Sequence, residues 1–154
     1  MTAKEPTMTA THRRILLSSV SSDAHTWNLV WLQMLLTERG NRVDNLGACV
    51  PDDLLVSHAR STRPDAIVLS TVNGHGLHDG VRVIGRLRAA DELRGVPVVI
   101  GGKLGVAGPL SADDEARLRE AGFDAVFPND ASPADFLEFV DSVVVTDLTA
   151  EHSA

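Results

Sequence analysis

In the stretch Ser21-Ser22-Asp23-Ala24-His25-Thr26-Trp27-Asn28, an aspartate stands two residues before a histidine. These two residue types can do chemistry together. An imidazole that ligates a metal through one ring nitrogen commonly donates its other N–H to a carboxylate, which fixes the tautomer and raises the basicity of the ligating nitrogen. Asp23 is placed to do this for His25. The same spacing also fits an aspartate that caps a helix beside an exposed histidine. Nearby Cys, His and acidic residues are too few for a closed zinc tetrahedron. A metal at His25 would therefore have to arrive with most of its own ligands, as in a macrocycle.

Two more segments gather small and polar residues, Leu69-Ser70-Thr71-Val72-Asn73-Gly74-His75-Gly76 and Ile100-Gly101-Gly102-Lys103-Leu104-Gly105. All three must be positioned by the elements around them. Short β-branched runs at Ile15–Ser19, Arg42–Leu46, Ala66–Thr71, Val96–Ile100 and Ala125–Phe127 are bounded by Gly, Pro or Asp, as buried parallel strands are. Helical patterns alternate with them at Thr26–Arg39, Pro51–Arg60, Asp79–Leu93, Ala112–Ala121 and Pro133–Val143. Five strand–helix units predict an α/β fold with one doubly wound five-stranded parallel sheet, flavodoxin-like (Rossmann-like), in the order 2-1-3-4-5. Ligands in such a sheet bind beyond the carboxyl ends of the strands, where the order reverses. The three segments are expected there.

Length and composition bound the rest. The 154 residues fit one domain, expected over 13–145 between polar tails at 1–12 and 146–154. Apolar residues make up 44%, enough for a folded core. The formal net charge of −7 argues against general affinity for nucleic acid or an anionic membrane. A single cysteine, Cys49, forms no internal disulfide and carries no functional signal. The first dozen residues lack the apolar core of a signal peptide, and no apolar run approaches the roughly 20 residues that span a bilayer. These features predict a soluble cytoplasmic protein. Of two common tenants of the fold, the first is excluded and the second is weakly supported. A phospho-receiver needs an acid after strand three and a lysine after strand five, where Ser70-Thr71 and Pro128-Asn129 stand. A flavodoxin-type phosphate loop needs glycine after strand one, and Ser18-Ser19-Val20-Ser21-Ser22 has none.

With the three segments in view, the chain resembles the cobalamin-binding domain family. Asp23–Asn28 resembles the Asp-x-His-x-x-Gly motif, Leu69–Val72 the Ser-x-Leu segment, and Gly101–Leu104 the Gly-Gly segment. The likeness runs from about Arg13 to Val143 and is closest to the small subunit of glutamate (methylaspartate) mutase, through Ser70–Gly80, Leu93–Gly108 and Gly122–Pro133. The resemblance implies that His25 replaces the cofactor's own base as lower axial ligand to cobalt, with Asp23 behind it. It implies that Ser70 and Val72 line the slot for the nucleotide tail, that Gly101 and Gly102 let the tail approach the backbone, and that Thr26, Asn28, Thr71, Gly74 and Lys103 lie around the cofactor. The implied activity is that of a carbon-skeleton mutase of glutamate/methylaspartate type. Cobalamin, in its adenosyl form, would be supplied by this chain to a large barrel-type subunit, and the chain alone would be inactive. The alternatives are a corrinoid module of another mutase or methyltransferase, or a non-catalytic relative that has lost the cofactor.

Two positions depart from the motifs. Asn28 stands where the motif has glycine, and Val72 where it has leucine. Asn28 either packs against the tail or fills the slot. The loop Asp23–Asn28, with few apolar residues besides Trp27, is expected to be mobile without ligand, the helix then starting at Leu29. Trp27 and Trp31 share a helix face, either in the core or against cofactor or partner. His75 and His78 line a loop or are solvated. Lys103 meets a cofactor phosphate or amide, or water.

Overall fold

The computed structural model describes residues 12–106 and 108–145, so most of both expected tails lies outside the described residues. The elements in order are β1 (Arg14–Ser18), α1 (Trp27–Glu38), β2 (Arg42–Asn45), α2 (Asp52–Thr62), β3 (Ala66–Thr71), α3 (Gly76–Ala89), a 3₁₀ turn (Asp91–Leu93), β4 (Val98–Gly102), α4 (Ala112–Ala121), β5 (Ala125–Pro128) and α5 (Pro133–Asp141). The strands form one parallel sheet in the order β2-β1-β3-β4-β5, as the alternation predicts.

The period-two alternation of a strand divides the core in two. Leu16, Ile67, Leu69, Val98 and Ile100 face Leu55 of α2, Val83, Ile84 and Leu87 of α3, and Leu118 of α4. Ile15, Leu17, Val68 and Val99 face Leu29 and Leu36 of α1, and Phe136 and Val140 of α5. All six residues of β3 are buried, as expected of a central parallel strand covered on both faces. Side-chain caps fix two helix starts: Ser111 accepts from the N–H of Asp114, and Ser132 accepts from the N–H of Ala134 with Pro133 in the first turn.

Two boundaries depart from the sequence reading in ways that matter for the site. β4 spans Val98–Gly102 rather than Val96–Ile100. The Val96 N–H closes a turn onto Leu93, Pro97 has no N–H, and the Val98 N–H donates to Asp124, so β4 begins there. Gly101 and Gly102 are consequently strand residues, paired with Ser70 and Thr71 on one side and with Phe127 and Pro128 on the other. α3 begins at Gly76, not Asp79, because the Leu77 N–H donates to Leu104 O and the Asp79 N–H to His75 O. The Asp79 carboxylate is thereby free for contacts across the loop.

Candidate functional site

The carboxyl ends of β1, β3 and β4 bring the three segments together. Asp23 is fully buried, and its carboxylate is surrounded by donors. Oδ2 accepts from the Thr71 hydroxyl at 2.6 Å and the Val72 N–H at 2.8 Å. Oδ1 accepts from the His25 N–H at 2.9 Å and lies 2.7 Å from His25 Nδ1. Burial alone would raise this carboxyl's pKa; the bonds from Thr71, from the backbone of His25 and Val72, and from the His25 ring outweigh it and hold the pKa at about 2. With Nδ1 committed to a permanent carboxylate, Nε2 is the ring nitrogen left to bind. The His25 side chain is half exposed. The helix-capping reading of Asp23 does not hold: α1 starts behind Thr26, and no side chain caps it.

The loop is pinned where mobility was expected. Besides the carboxylate bonds, the Asp23 N–H donates to Val20 O, and the Cys49 N–H donates to Asp23 O at 2.8 Å. α1 already begins at Trp27, because Leu29 and Val30 both donate to Thr26 O. The buried acid supplies the contacts that an apolar count misses.

Behind Asp23 lies a polar chain. Thr71 Oγ1 is 3.2 Å from Asn73 Oδ1, the Asn73 amide donates to Ser22 Oγ at 2.9 Å, and Ser22 donates to Asp79. Arg82 donates to Asp79 at 2.7 Å, to both oxygens of Asp52, and to Ser21 Oγ. Burial raises the Asp79 pKa, but the Ser22 and Arg82 bonds and the positive charge nearby lower it on balance. The two carboxylates raise the Arg82 pKa. Sequence reasoning missed this cluster. The i,i+3 spacing of Asp79 and Arg82 was its one readable sign.

Beside the loop, a cavity of about 460 Å³ opens between α1, α5 and the sheet. Its walls include Val68, Val99, Phe127 and Phe136, with Ser70, Gly101 and Gly102 on the strands, Val72 just past β3, and Asn28 on α1. Trp27 and Trp31 line it too, yet are 63% and 47% exposed, so they are not core residues. Phe127 meets Phe136 edge-on at 5.5 Å, a contact that sequence reasoning did not supply. A larger hollow of about 950 Å³, beside Arg14, Arg42 and Arg63, lies at the amino ends of the strands, away from all three segments.

The glycine pair has a reason inside the fold. A Cβ on Gly102, at φ +110°, would lie 2.1 Å from Thr71 O, and one on Gly101 would lie 2.9 Å from Phe127 O. Sheet packing therefore demands glycine at both positions, and the cavity wall there is bare backbone as a result. Gly74, at φ +89°, donates its N–H to Lys103 O at 3.2 Å and ties the β3–α3 loop to the β4–α4 loop.

Asn28 is 4% exposed. Its Nδ2 donates to Ser70 Oγ at 2.8 Å, while its Oδ1 is buried without a partner. Thr26, His75, His78 and Lys103 are exposed. Among the described residues, no group of three or more His, Cys, Asp or Glu could hold a metal ion. A metal brought by its own macrocycle is compatible with that.

Comparison with known proteins adds the family. The chemotaxis protein CheY4 of Vibrio cholerae superposes with a TM-score of 0.66 at 14% identity, over 87% of this chain and all of that one, a likeness of fold alone. A cobalamin-binding protein from Desulfitobacterium hafniense superposes with a TM-score of 0.67 at 22% identity, over 84% of this chain and 59% of that one. The glutamate mutase sigma subunit 1 of Haloarcula marismortui is 31% identical over 134 residues, 83% of each chain. The glutamate mutase sigma subunit of Escherichia coli O157:H7 is 31% identical over 139 residues, 90% of this chain and 89% of that one. Residues 13–138 match the B12 binding domain, and the chain belongs to that family.

Proposed function

We propose that this chain is the cobalamin-binding subunit of a carbon-skeleton mutase of glutamate/methylaspartate type. The observation that carries the reading is the buried, ionised Asp23 holding His25 Nδ1 at 2.7 Å, two residues before the first lining residue of an apolar cavity. The residues fit the group. An outward imidazole with a fixed tautomer suits an axial ligand. A cavity walled by Val68, Val99, Phe127 and Phe136 suits a flat aromatic tail. Bare backbone at Gly101 and Gly102 leaves that wall open.

Adenosylcobalamin, when bound, supplies a cobalt–carbon bond that breaks homolytically, the source of a substrate radical. The protein's part is positional. Asp23 fixes the His25 tautomer and leaves Nε2 free to ligate, and Thr71 and Val72 hold the Asp23 carboxylate. Ser70 and Val72 line the tail slot, and Thr26, Gly74 and Lys103 stand on the surrounding loops. On this reading the substrate pocket belongs to a separate barrel-type subunit, in a cytoplasmic heteromer. Domain bounds of 13–145 follow this reading. The sigma-subunit names of the relatives, at about nine tenths coverage for the Escherichia coli protein, support it.

Reconstitution tests the proposal. The chain with adenosylcobalamin should show no glutamate isomerisation alone and should gain it with a large mutase subunit. Turnover by the chain alone would contradict the two-subunit reading. Corrinoid binding without turnover beside any such subunit would leave a corrinoid module with another task.

A further inference from the structure

We propose that the arginine-lined hollow at the amino ends of β1 and β2 is an anion site that takes a polyphosphate group. It lies at the end of the sheet opposite His25 and stands independently of the corrinoid reading.

The strand register places the charges. Arg14 and Arg42 are partners across β1 and β2. Both stand on the α2 face of the sheet, because Leu16, two residues after Arg14, packs in that layer. Arg60 and Arg63 come from the last turn and the C-cap of α2, and all four arginines line the hollow of about 950 Å³.

Like charges side by side on neighbouring strands repel, so this grouping is unfavourable unless an anion offsets it. The chain supplies only part of the offset. Arg60 donates to Glu92 at 3.0 Å, and Arg63 acts on Glu92 only at longer range. Asp44, the carboxylate lining the hollow, lies 2.6 Å from His58 Nε2. Asp65 accepts the backbone N–H of Arg14, not its guanidinium. The Arg14 guanidinium donates to Arg63 O at 3.1 Å, a carbonyl at the end of α2. That helix end carries about half a negative charge. Among the described residues, none of Arg14, Arg42 and Arg63 forms an ion pair, and Arg42 and Arg63 make no side-chain hydrogen bond.

Arg63 adds a second sign. Its φ of 52° and ψ of 62° are left-handed, the conformation in which helices commonly end on glycine or asparagine. A glycine there would fold with less strain, and it would remove one guanidinium from the hollow.

The ligand follows from the donors. Each guanidinium is a planar fork that meets two oxygens at once. Three unpaired forks around one hollow need many oxygens on a compact, multiply charged group, which a di- or triphosphate has and a single carboxylate lacks. The volume suits a small molecule. The Ser61 and Thr62 hydroxyls donate to His58 O, so recognition falls to the arginines. No aromatic side chain lines the hollow, so a nucleotide base finds nothing to stack on and the phosphates carry the binding.

Calorimetric titration of the full chain with tripolyphosphate, ATP, sulfate and hexaglutamate, at a fixed ionic strength of about 0.15 M, tests this. Tripolyphosphate and ATP should bind one-to-one with similar affinity, and sulfate at least about 10-fold more weakly. Arg42→Gln and Arg63→Gly should each weaken tripolyphosphate about 10-fold, the worth of one charged hydrogen-bonding group. Arg63→Gly should do so with an unfolding midpoint, measured without ligand, that is unchanged or higher, which a structural role for the arginine would not give. Arg117→Gln removes the same charge outside the hollow and should leave the affinity alone. Absence of saturable tripolyphosphate binding, affinity retained in both Arg42→Gln and Arg63→Gly, or an equal loss in Arg117→Gln would overturn the proposal. Tighter binding of hexaglutamate would overturn it too, by assigning the hollow to an acidic protein segment. Corrinoid binding at the other end of the sheet is untouched by any of these results.

Discussion

Asp23 shows how one buried charge can both organise and stabilise a loop. Its four bonds reach a hydroxyl, two backbone N–H groups and an imidazole. Asp23→Asn keeps the volume and removes the charge. The amide keeps one acceptor oxygen and puts an NH2 donor in place of the other, so His25 and the Thr71–Val72 pair cannot both keep their acceptor and the His25 tautomer is no longer fixed. Cobalamin affinity should fall about 10- to 100-fold, as it does when the partner of a metal-binding histidine is lost, and absorbance titration measures it. Asp23→Ala should in addition cost about 1–3 kcal/mol in denaturant unfolding, because buried donors lose their acceptor. The spacing of Asp23 and His25 was legible in the sequence because the two are local. The bond between Asn28 and Ser70 was not, because the partners are 42 residues apart and meet only once the sheet is formed.

At the scale of elements, the strands were readable because a parallel sheet covered on both faces leaves short, continuous apolar runs. The first turn of α3 and the end of β4 were not. Both are set by loop contacts, such as Leu77 N–H to Leu104 O, that no periodicity encodes. The glycine pair was legible as a site feature, but its cause is strand packing. Gly102→Ala should therefore destabilise the fold itself, by at least about 2 kcal/mol from a left-handed φ and the Thr71 carbonyl, read as a lower denaturant midpoint without cofactor. The link from Ser22 through Asp79 to Arg82 and Asp52 joins α2, α3 and the β1–α1 loop. The Asp79 pKa lies below its ordinary 3.8 in the folded chain. A depressed carboxyl contributes stability that is fully present above the unfolded value and is lost as pH falls through the folded one. Thermal stability should hold above about pH 5 and decline below about pH 4. Asp79→Asn should flatten that decline and lower the plateau; an unchanged acid limb would show that Asp79 does not contribute to it.

For the whole molecule, the distribution of exposed apolar surface indicates how it works. α1 is apolar nearly all round, and Trp27, Val30, Trp31 and Met34 remain exposed on it. Helices of that kind are normally covered. Trp27, His75 and Lys103 all stand exposed on loops or helix starts at the carboxyl end of the sheet. Docking of the large subunit onto this end should shift the tryptophan emission to the blue and protect the β1–α1 loop from hydrogen exchange. Unaltered emission in an assembled complex would place the contact elsewhere. No helix among the described residues is long and apolar enough to cross a membrane. The central claim is that His25, held by Asp23, becomes the lower ligand of a corrinoid bound by this chain. Electron paramagnetic resonance of the cobalt(II) form, bound to protein carrying isotopically labelled histidine, reads that ligand directly. The account predicts superhyperfine splitting from one labelled nitrogen, absent in His25→Ala. A bound corrinoid whose spectrum is indifferent to both the label and the substitution would contradict it.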